Sequence, residues 1–426
     1  MLSKLIRQTG TLISGNLSAS VLNFFSVAIS LKALGVESFG EVTLLQAYIL
    51  VLSLCFNPQA WQGVIRYFYL EKDKASLIVL TLKYDLICAL IGTLIAICFA
   101  QTYAESFNLQ HHTELLQWCS VYILLNQTSV AIGVLRYQER YNVLAMQAIV
   151  SAVLFFLCVL LGYWKNFGVG FFVTAYLLTL GVGVIYIQCH SSRYVASLIK
   201  SQSDCNLLSN DKKKEFNRFN LTVHMTSLAD IPVKQLDTIL VGAVVSVGAA
   251  GAYRVIKQIA TISTRLTSPL NQVLYPEINV YLAEKAYDKV KKIMSKIVLL
   301  LLLPSLAFVA VASMTFDYWV VTLFSAELLV YKWHIVVFMI VHAVSAALTP
   351  IHPVFLALGY VKSLLLITLF SNLVLCLGIL VLGAKIELWG VLFAIFAQYL
   401  LTIACKLPVI LSRLRKEKNE GSTLHT

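Results

Sequence analysis

The sequence predicts an all-α integral membrane protein of about twelve transmembrane helices, in two six-helix lobes related by a parallel internal repeat. Three observations predict this fold class: the composition, the recurrence of long apolar stretches, and a correspondence between the two halves of the chain. Of the 426 residues, 59% are hydrophobic and only 13% are charged, whereas about 25% of the residues of a soluble domain are charged. The mean hydropathy is +0.80. Lipid must therefore be the main solvent of this protein.

Apolar stretches long enough to cross a bilayer, which takes about 20 residues of α-helix, recur along the whole chain. Only residues 190–218 form a long polar interruption, and no separate soluble domain fits there. The first stretch follows Lys4 and Arg7 and is too long for a signal peptide, so we expect a retained helix. The predicted spans are 11–33, 41–61, 77–100, 113–134, 141–164, 167–189, 219–243, 251–275, 295–316, 331–351, 361–383 and 388–410.

The orientation of these helices follows from their positively charged ends, because short loops rich in Lys and Arg remain in the cytoplasm. Of the 33 Lys and Arg residues, 23 lie at one set of helix ends and 4 at the opposite set. The basic set includes both ends of the chain and residues 190–218. We therefore expect both termini to be cytoplasmic. This bias also explains much of the +12 net charge, so nucleic acid is not needed as a partner.

The two halves of the chain correspond to each other at an offset of 211 residues. This offset places Val36 on Val247, Gly40 on Gly251 and Pro58 on Pro269. It also sets the first helix on the seventh and the second on the eighth, each pair crossing in the same direction. The resulting domains are an N-terminal lobe at 1–200, a basic cytoplasmic linker at 201–218, a C-terminal lobe at 219–410 and a cytoplasmic tail at 411–426. A parallel repeat of this kind is typical of transporters, with the substrate path between the lobes.

Charged residues within the eighth predicted helix form the strongest candidate for substrate binding. Arg254, Lys257 and Arg265, together with Thr261, follow spacings of 3, 4 and 4 and so share one helical face. Their stripe is about 16 Å long, enough to offer successive contacts to a pyrophosphate or an acidic sugar. A charge at the bilayer centre costs about 2.5 to 3.5 kcal/mol, so such residues usually face a wet cavity. The alternative is snorkelling of these side chains to the interface.

The seventh predicted helix carries Asp230, Lys234 and Asp237 at spacings of 4 and 3, with His224 nearer its cytoplasmic end. The charges can pair along one face. Two interpretations remain open: an internally neutralised ion network, or a cavity wall that exchanges partners or a proton during transport. Pro232 removes a backbone hydrogen bond from this helix, so we expect a kink there.

At the equivalent face of the first helix the polar residues are uncharged, namely Asn16, Ser20 and Asn23, followed by Ser26. They would offer hydrogen bonds to sugar hydroxyls where the other lobe offers charge. The alternative is that these small polar groups hold helices together.

The remaining polar residues give no metal or cofactor site. The nine cysteines form no CxxC pair, and most lie within apolar stretches, as apolar fillers do. His111 and His112 lie in an outer loop where the sequence shows no further ligand. Lys83 and Asp85 lie within the third helix but point in different directions. We therefore expect no metal, no cofactor and no catalytic residue.

Two segments carry a resemblance to a known family. They are SGNLSASVLNFFSVAISLKALGVESFGEV at 14–42 and FNLTVHMTSLADIPVKQLDTILVGAVVSVGAAGAYRVIKQIA at 219–260. These segments resemble the polysaccharide transporter family of the multidrug/oligosaccharidyl-lipid/polysaccharide exporter superfamily, which includes O-antigen flippases. The resemblance implies movement of an undecaprenyl-pyrophosphate-linked oligosaccharide from the cytoplasmic to the periplasmic leaflet of the bacterial inner membrane by alternating access. Membrane lipids and a polysaccharide polymerase are the partners that it implies.

Two other functions compete with this one. The first is an ion-coupled multidrug exporter, although a basic cavity should repel cationic drugs. The second is a membrane glycosyltransferase or polymerase. Such enzymes place catalytic residues on a substantial outer loop, whereas the longest outer connections here are residues 101–112 and 317–330, without a carboxylate constellation. We therefore predict a protein that is not an enzyme.

Overall fold

The computed structural model describes residues 2–71, 73–201 and 209–423. It is 91% helical, and no β-strand occurs among the described residues. The side chains of residues 13, 261–273, 275, 276, 283 and 361, and of residues near the chain ends, lie outside the description. The protein is therefore an all-α membrane protein, as the sequence predicts.

Residues Met1–Ala243 form the first of two compact units. Its helices are α1 (Leu2–Cys55), α2 (Trp61–Leu70), α3 (Lys74–Ser106), α4 (Thr113–Cys119), α5 (Val121–Leu125), α6 (Ser129–Tyr137), α7 (Tyr141–Lys165), α8 (Val169–Ser201), α9 (Asn210–Ala229) and α10 (Asp237–Val244). Within the unit α1 packs along α7 and α8, while α2 packs against α6 and α9. The apolar core between α2, α3, α6 and α9 includes Val64, Leu77 and Phe216.

A single glycine divides α1 into the first two predicted spans. Gly35 has φ 76° and ψ 171° inside the helix, a backbone conformation that glycine adopts far more readily than residues with a Cβ. The kink falls between the predicted ends of helices one and two, at the turn that the sequence predicts.

The seventh predicted helix contains the expected distortion at Pro232. Helix α9 ends at Ala229, a π-helical turn spans Pro232–Leu236, and α10 continues from Asp237. Proline has no backbone N–H and its ring crowds the carbonyl four residues earlier, so the chain takes up an extra residue in that turn. The predicted kink is confirmed.

The fourth predicted helix is not the continuous helix expected at 113–134. It is broken into α4, α5 and α6, and residues 126–128 between α5 and α6 are unwound. The membrane-spanning segment is present at Gln110–Tyr137, but the expectation of one continuous helix is wrong, because polar side chains from the α1–α2 connection and from α8 bond to the carbonyls that the break frees, as described below.

Residues Val244–Thr426 form the second unit. Its helices are α11 (Val247–Ala283), α12 (Tyr287–Met314), α13 (Phe316–Leu323), α14 (Lys332–Ala347), α15 (Ile351–Ala357), α16 (Val361–Gly378) and α17 (Ala384–Thr423). Helix α14 packs against α11 and α12, and α16 packs against α17. Non-helical backbone at Ile386 and Glu387 separates the last two predicted spans.

Eight helical segments among the described residues are long and apolar enough to cross a membrane. Two of them, Gly10–Cys55 and Lys362–Arg415, each contain a kink that separates two predicted helices. The seventh and eighth predicted helices are not among the eight, and both carry charged residues along their length. With these two, the segments correspond to the twelve predicted spans.

The boundary between the compact units follows Ala243. Helix α9 therefore packs as part of the first unit. Its first turns, which begin at Asn210, occupy part of the predicted linker at 201–218. The predicted lobes at 1–200 and 219–410 follow the internal repeat rather than packing, and they stay a prediction.

Candidate functional site

A polar cleft of about 290 Å³ lies within the first unit, between the segment that follows α1 and the distorted end of α9. It is lined by Gln59, Gln62, Val223, Thr226, Ser227, Asp230 and Lys234. All but one of these side chains are polar. Polar side chains at the level of membrane helices usually face a water-filled or ligand-filled space. The cleft is therefore a candidate site in this unit.

The wall of the cleft formed by α9 and the π-helical turn that follows it carries an ion pair. Lys234 Nζ lies 3.5 Å from Asp230 Oδ2, and the two side chains are 46% and 51% exposed. A half-exposed pair is held weakly, by about 0.2–1 kcal/mol. Both groups can therefore exchange this partner for a ligand, which favours the cavity-wall interpretation over a dry, internally neutralised network.

The other two predicted residues of this region lie in different surroundings. Asp237 is only 2% exposed, and its Oδ1 accepts hydrogen bonds from the N–H of Thr238 at 2.8 Å and from its hydroxyl at 3.3 Å. His224 is half-buried on α9, with its imidazole beside the backbone of Cys55 and Asn57. Thus Asp230 and Lys234 line the cleft, whereas Asp237 and His224 are not among its lining residues.

The opposite wall comes from the short connection between α1 and α2. Gln59 has a left-handed backbone with φ 54°, and its N–H donates to Asn57 Oδ1 at 3.1 Å. The indole N–H of Trp61 donates to Gln59 Oε1 at 3.2 Å. The Arg136 guanidinium stacks over the Trp61 ring, 3.9 Å from its centroid. The fold therefore places Arg136 directly behind the cleft wall.

Helix α2 is held tightly against α9, which fixes the two walls relative to each other. A Cβ atom on Gly63 would lie 2.1 Å from Asn220 Oδ1, so the two helices approach closely only because residue 63 is glycine. One turn further, the Tyr67 hydroxyl donates to Glu215 Oε1 at 3.0 Å. Burial, together with this hydrogen bond, raises the pKa of Tyr67.

The break in the fourth helix lies beside the same connection. Asn57 Nδ2 donates to the carbonyl of Asn126 at 2.8 Å, and Gln188 Nε2 donates to the carbonyl of Gln127 at 3.1 Å. Asn126 Nδ2 in turn donates to Ser53 Oγ at 2.7 Å. Unwound backbone is tolerated at membrane depth only where protein groups or water satisfy it. Here the side chains of Asn57 and Gln188 form the hydrogen bonds that the unwound carbonyls need.

A buried carboxylate caps the helix that restarts after the break. Asp85 is 2% exposed, and its Oδ1 accepts a hydrogen bond from Ser129 Oγ at 2.8 Å. The backbone N–H of Ser129 also bonds to it. The carboxylate therefore sits at the N-terminus of α6, where the helix dipole stabilises negative charge. This role of Asp85 is not visible in the sequence, where the fourth span reads as one continuous apolar helix.

The polar residues predicted on the first helix do not line the cleft. Asn16 is exposed and Asn23 half-exposed on α1. The Ser20 hydroxyl donates to the carbonyl of Asn16 at 2.8 Å, and the buried Ser26 hydroxyl donates to Leu22 at 2.9 Å. Both serine hydroxyls are thus engaged by the backbone of their own helix, as helical serines commonly are.

Two of the predicted basic residues lie half-buried on α11 in the second unit. Lys257 Nζ is 5.8 Å from the centroid of the Tyr253 ring and interacts electrostatically with the buried His342. Arg254 lies one turn earlier on the same helix. The backbone of α11 continues through Arg265, but the side chains of Arg265 and Thr261 lie outside the described residues. The shared face of the four residues stays a prediction.

The family model described as "Polysaccharide biosynthesis protein" matches residues 5–281 of the chain. The chain belongs to this family. The matched region of this polysaccharide biosynthesis protein includes the whole cleft and the predicted basic face of α11. No curated protein matches the chain in a sequence search.

Solved structures similar to this polysaccharide biosynthesis protein are membrane transporters. An inward-facing multidrug resistance MATE family transporter of the MOP superfamily is 15% identical, with 96% of this chain and 99% of that chain covered and a TM-score of 0.74. An outward-facing multidrug resistance MATE family transporter of the MOP superfamily is also 15% identical, with 96% of each chain covered and a TM-score of 0.61. A MOP superfamily transporter from Pyrococcus furiosus, described as having a binding pocket of reverse polarity, is 15% identical, with 97% and 96% covered and a TM-score of 0.59. The protein has the fold of a MOP-superfamily membrane transporter.

Proposed function

We propose that this protein flips an undecaprenyl-pyrophosphate-linked oligosaccharide from the cytoplasmic to the periplasmic leaflet of the bacterial inner membrane, with both termini cytoplasmic. The observation that carries this proposal is the polar cleft with its half-exposed Asp230–Lys234 pair, in a polysaccharide biosynthesis protein with a transporter fold. A substrate made of sugars and phosphates needs such a polar surface to cross the apolar interior of a membrane.

The chemistry of the cleft suits that substrate. Gln59 and Gln62 offer amide donors and acceptors, while Thr226 and Ser227 offer hydroxyls, and these groups match sugar hydroxyls. Lys234 offers a point charge to a phosphate oxygen or an acidic sugar. At about 290 Å³, the cleft is at the lower end of the roughly 300–1,000 Å³ of ligand pockets. It would hold part of the substrate at a time.

Other predicted residues extend this proposal. Arg254, Lys257 and Arg265 would contact the pyrophosphate, because guanidinium groups bind phosphate oxygens in pairs and lysine adds charge.

On α1, Asn16, Ser20 and Asn23 would contact sugars. Membrane lipids surround the protein, and a polysaccharide polymerase would consume the flipped product.

Coupling of transport to an ion would use the Asp230–Lys234 pair, which can exchange partners because it is half-exposed. His224 on α9 and Asp237 at the start of α10 flank this distorted segment and would follow its movement.

An ion-coupled multidrug exporter is the second candidate, because two of the similar solved structures are multidrug resistance transporters. The two candidates differ in what a deletion removes. We expect a strain lacking this gene to lose surface polysaccharide and to accumulate lipid-linked oligosaccharide facing the cytoplasm, with both restored by the parent gene. Normal surface polysaccharide together with increased sensitivity to cationic drugs would instead establish the exporter.

A further inference from the structure

Three potential metal ligands meet at one end of the first unit, away from the cleft. Glu41 lies on the second half of α1, whereas His111 and His112 form the 3₁₀ turn Gln110–His112 between α3 and α4. His112 Nε2 is 3.2 Å from Glu41 Oε2, and His111 Nε2 is 3.7 Å from the same oxygen. Glu41 lies about 70 residues before the two histidines in the chain, so the sequence alone does not show that the three side chains meet.

The distances between these atoms fit a small metal ion. Zinc binds imidazole nitrogen and carboxylate oxygen at about 2.0–2.2 Å, so the ligand atoms of a tetrahedral site are about 3.3 Å apart. The two contacts to Glu41 are within about half an ångström of that separation. One ligand atom from each of the three residues lies within 4.8 Å of the others, so closing the set requires only a side-chain rotation. His111, whose side chain is 62% exposed, has room for it.

The surroundings hold two of the ligands in place. The side chains of His112 and Glu41 are only 15% and 21% exposed, and the N–H of His112 donates to the carbonyl of Leu109 at 2.8 Å. The rings of His111 and His112 lie 4.0 Å apart between centroids. Ligands that are already gathered lose little conformational freedom when an ion binds.

The types of ligand select the metal. Mg²⁺ and Ca²⁺ prefer sites made of oxygen atoms, whereas two imidazoles and one carboxylate suit Zn²⁺ and neighbouring transition metals. Three protein ligands leave a fourth position for water or for a group of a partner molecule.

We propose that Glu41, His111 and His112 bind one divalent transition metal of the zinc type. The ion joins the second half of α1 to the connection between α3 and α4. Both segments belong to the set of helix ends that the distribution of charge predicts as outer. The site is independent of the cleft and of the proposed function.

The test uses the full chain, purified in detergent without a polyhistidine tag, with ZnCl₂ and CoCl₂ as probes. We expect one Zn²⁺ per chain, a melting temperature that rises with Zn²⁺ because the ion binds only the folded state, and visible absorption from bound Co²⁺. His111→Ala and Glu41→Gln should weaken Zn²⁺ binding by about tenfold or more. His190→Ala is the matched control, since the His190 ring bonds to the carbonyl of Tyr186 within α8, and it should bind as the parent does.

His111→Ala keeps the test decisive if other variants fail to fold, because this exposed side chain is not needed for packing. An equal rise in melting temperature in the parent and in His111→Ala would overturn the proposal. So would a parent that binds no Zn²⁺ at micromolar concentrations while melting cooperatively.

Discussion

Exchanging the two charges of the cleft separates their contribution to stability from their contribution to transport. The variant Asp230→Lys/Lys234→Asp keeps an ion pair at the same place after α9 but moves the cation by four residues, about 6 Å along the helical backbone. If the pair only stabilises the fold, this variant should behave like the parent. If the ammonium group of Lys234 meets the substrate, transport should fall although folding is retained.

The structure sets the size of the stability effect. Two unit charges at the 3.5 Å separation of Lys234 and Asp230 attract each other by about 1.2 kcal/mol in water. Because both side chains are about half exposed, the net contribution to folding is about 1 kcal/mol at most. Lys234→Ala should therefore lower the melting temperature by a few degrees at most, and the exchanged variant by less.

The assay is production of surface polysaccharide in a strain that lacks the gene, at membrane levels matched to the parent. Lys212→Ala is the control, because it removes another lysine with an ion-pair partner, Glu71, outside the cleft. We expect transport close to the parent for Lys212→Ala and a severe loss for both Lys234→Ala and the exchanged variant. Full polysaccharide production by the exchanged variant would refute a substrate contact by Lys234.

Asp85, Tyr67 and Lys213 test the packing of the first unit and the predicted topology. Asp85→Ala should lower the free energy of unfolding by about 1–3 kcal/mol, because the donors of Ser129 lose a buried acceptor, and Asp85→Asn should cost less in the same thermal unfolding measurement. Tyr67 is stabilised in its protonated form by burial and by Glu215, so the parent should lose stability more steeply than Tyr67→Phe as pH rises above 10.0, the ordinary tyrosine pKa; equal slopes would contradict this. Lys213→Cys, in a background without other accessible cysteines, should not react with a membrane-impermeant thiol reagent in intact cells, because residue 213 is predicted to face the cytoplasm. Labelling at this position would contradict the predicted topology.

The helices could be predicted because their signals are local. Apolar stretches reveal membrane spans directly, and the kinks at Gly35 and Pro232 follow from the backbone chemistry of single residues. The charges of the seventh helix were also visible in the sequence. Their different exposures were not, because the π-helical turn changes which residues share a face.

The break in the fourth helix could not be predicted, because what stabilises it is remote in sequence. Asn57, from the connection between α1 and α2, and Gln188, from α8, bond to the carbonyls of residues 126 and 127, and the unwound residues 126–128 include neither proline nor glycine. The meeting of Glu41 with the two histidines is hidden for the same reason. Polar residues within membrane helices can be found from the sequence, whereas their partners depend on packing.

Transbilayer movement in proteoliposomes tests the central proposal most directly. Purified protein is reconstituted with a fluorescent undecaprenyl-pyrophosphate-linked oligosaccharide, and a membrane-impermeant quencher reports the fraction of label that reaches the outer leaflet. We predict that label in the inner leaflet becomes accessible with the parent protein and remains protected with the exchanged Asp230→Lys/Lys234→Asp variant. The contradicting result is that the parent protein leaves as much label protected from the quencher as protein-free liposomes do, whichever ion gradient is imposed. This protein would then not be a flippase for lipid-linked oligosaccharides.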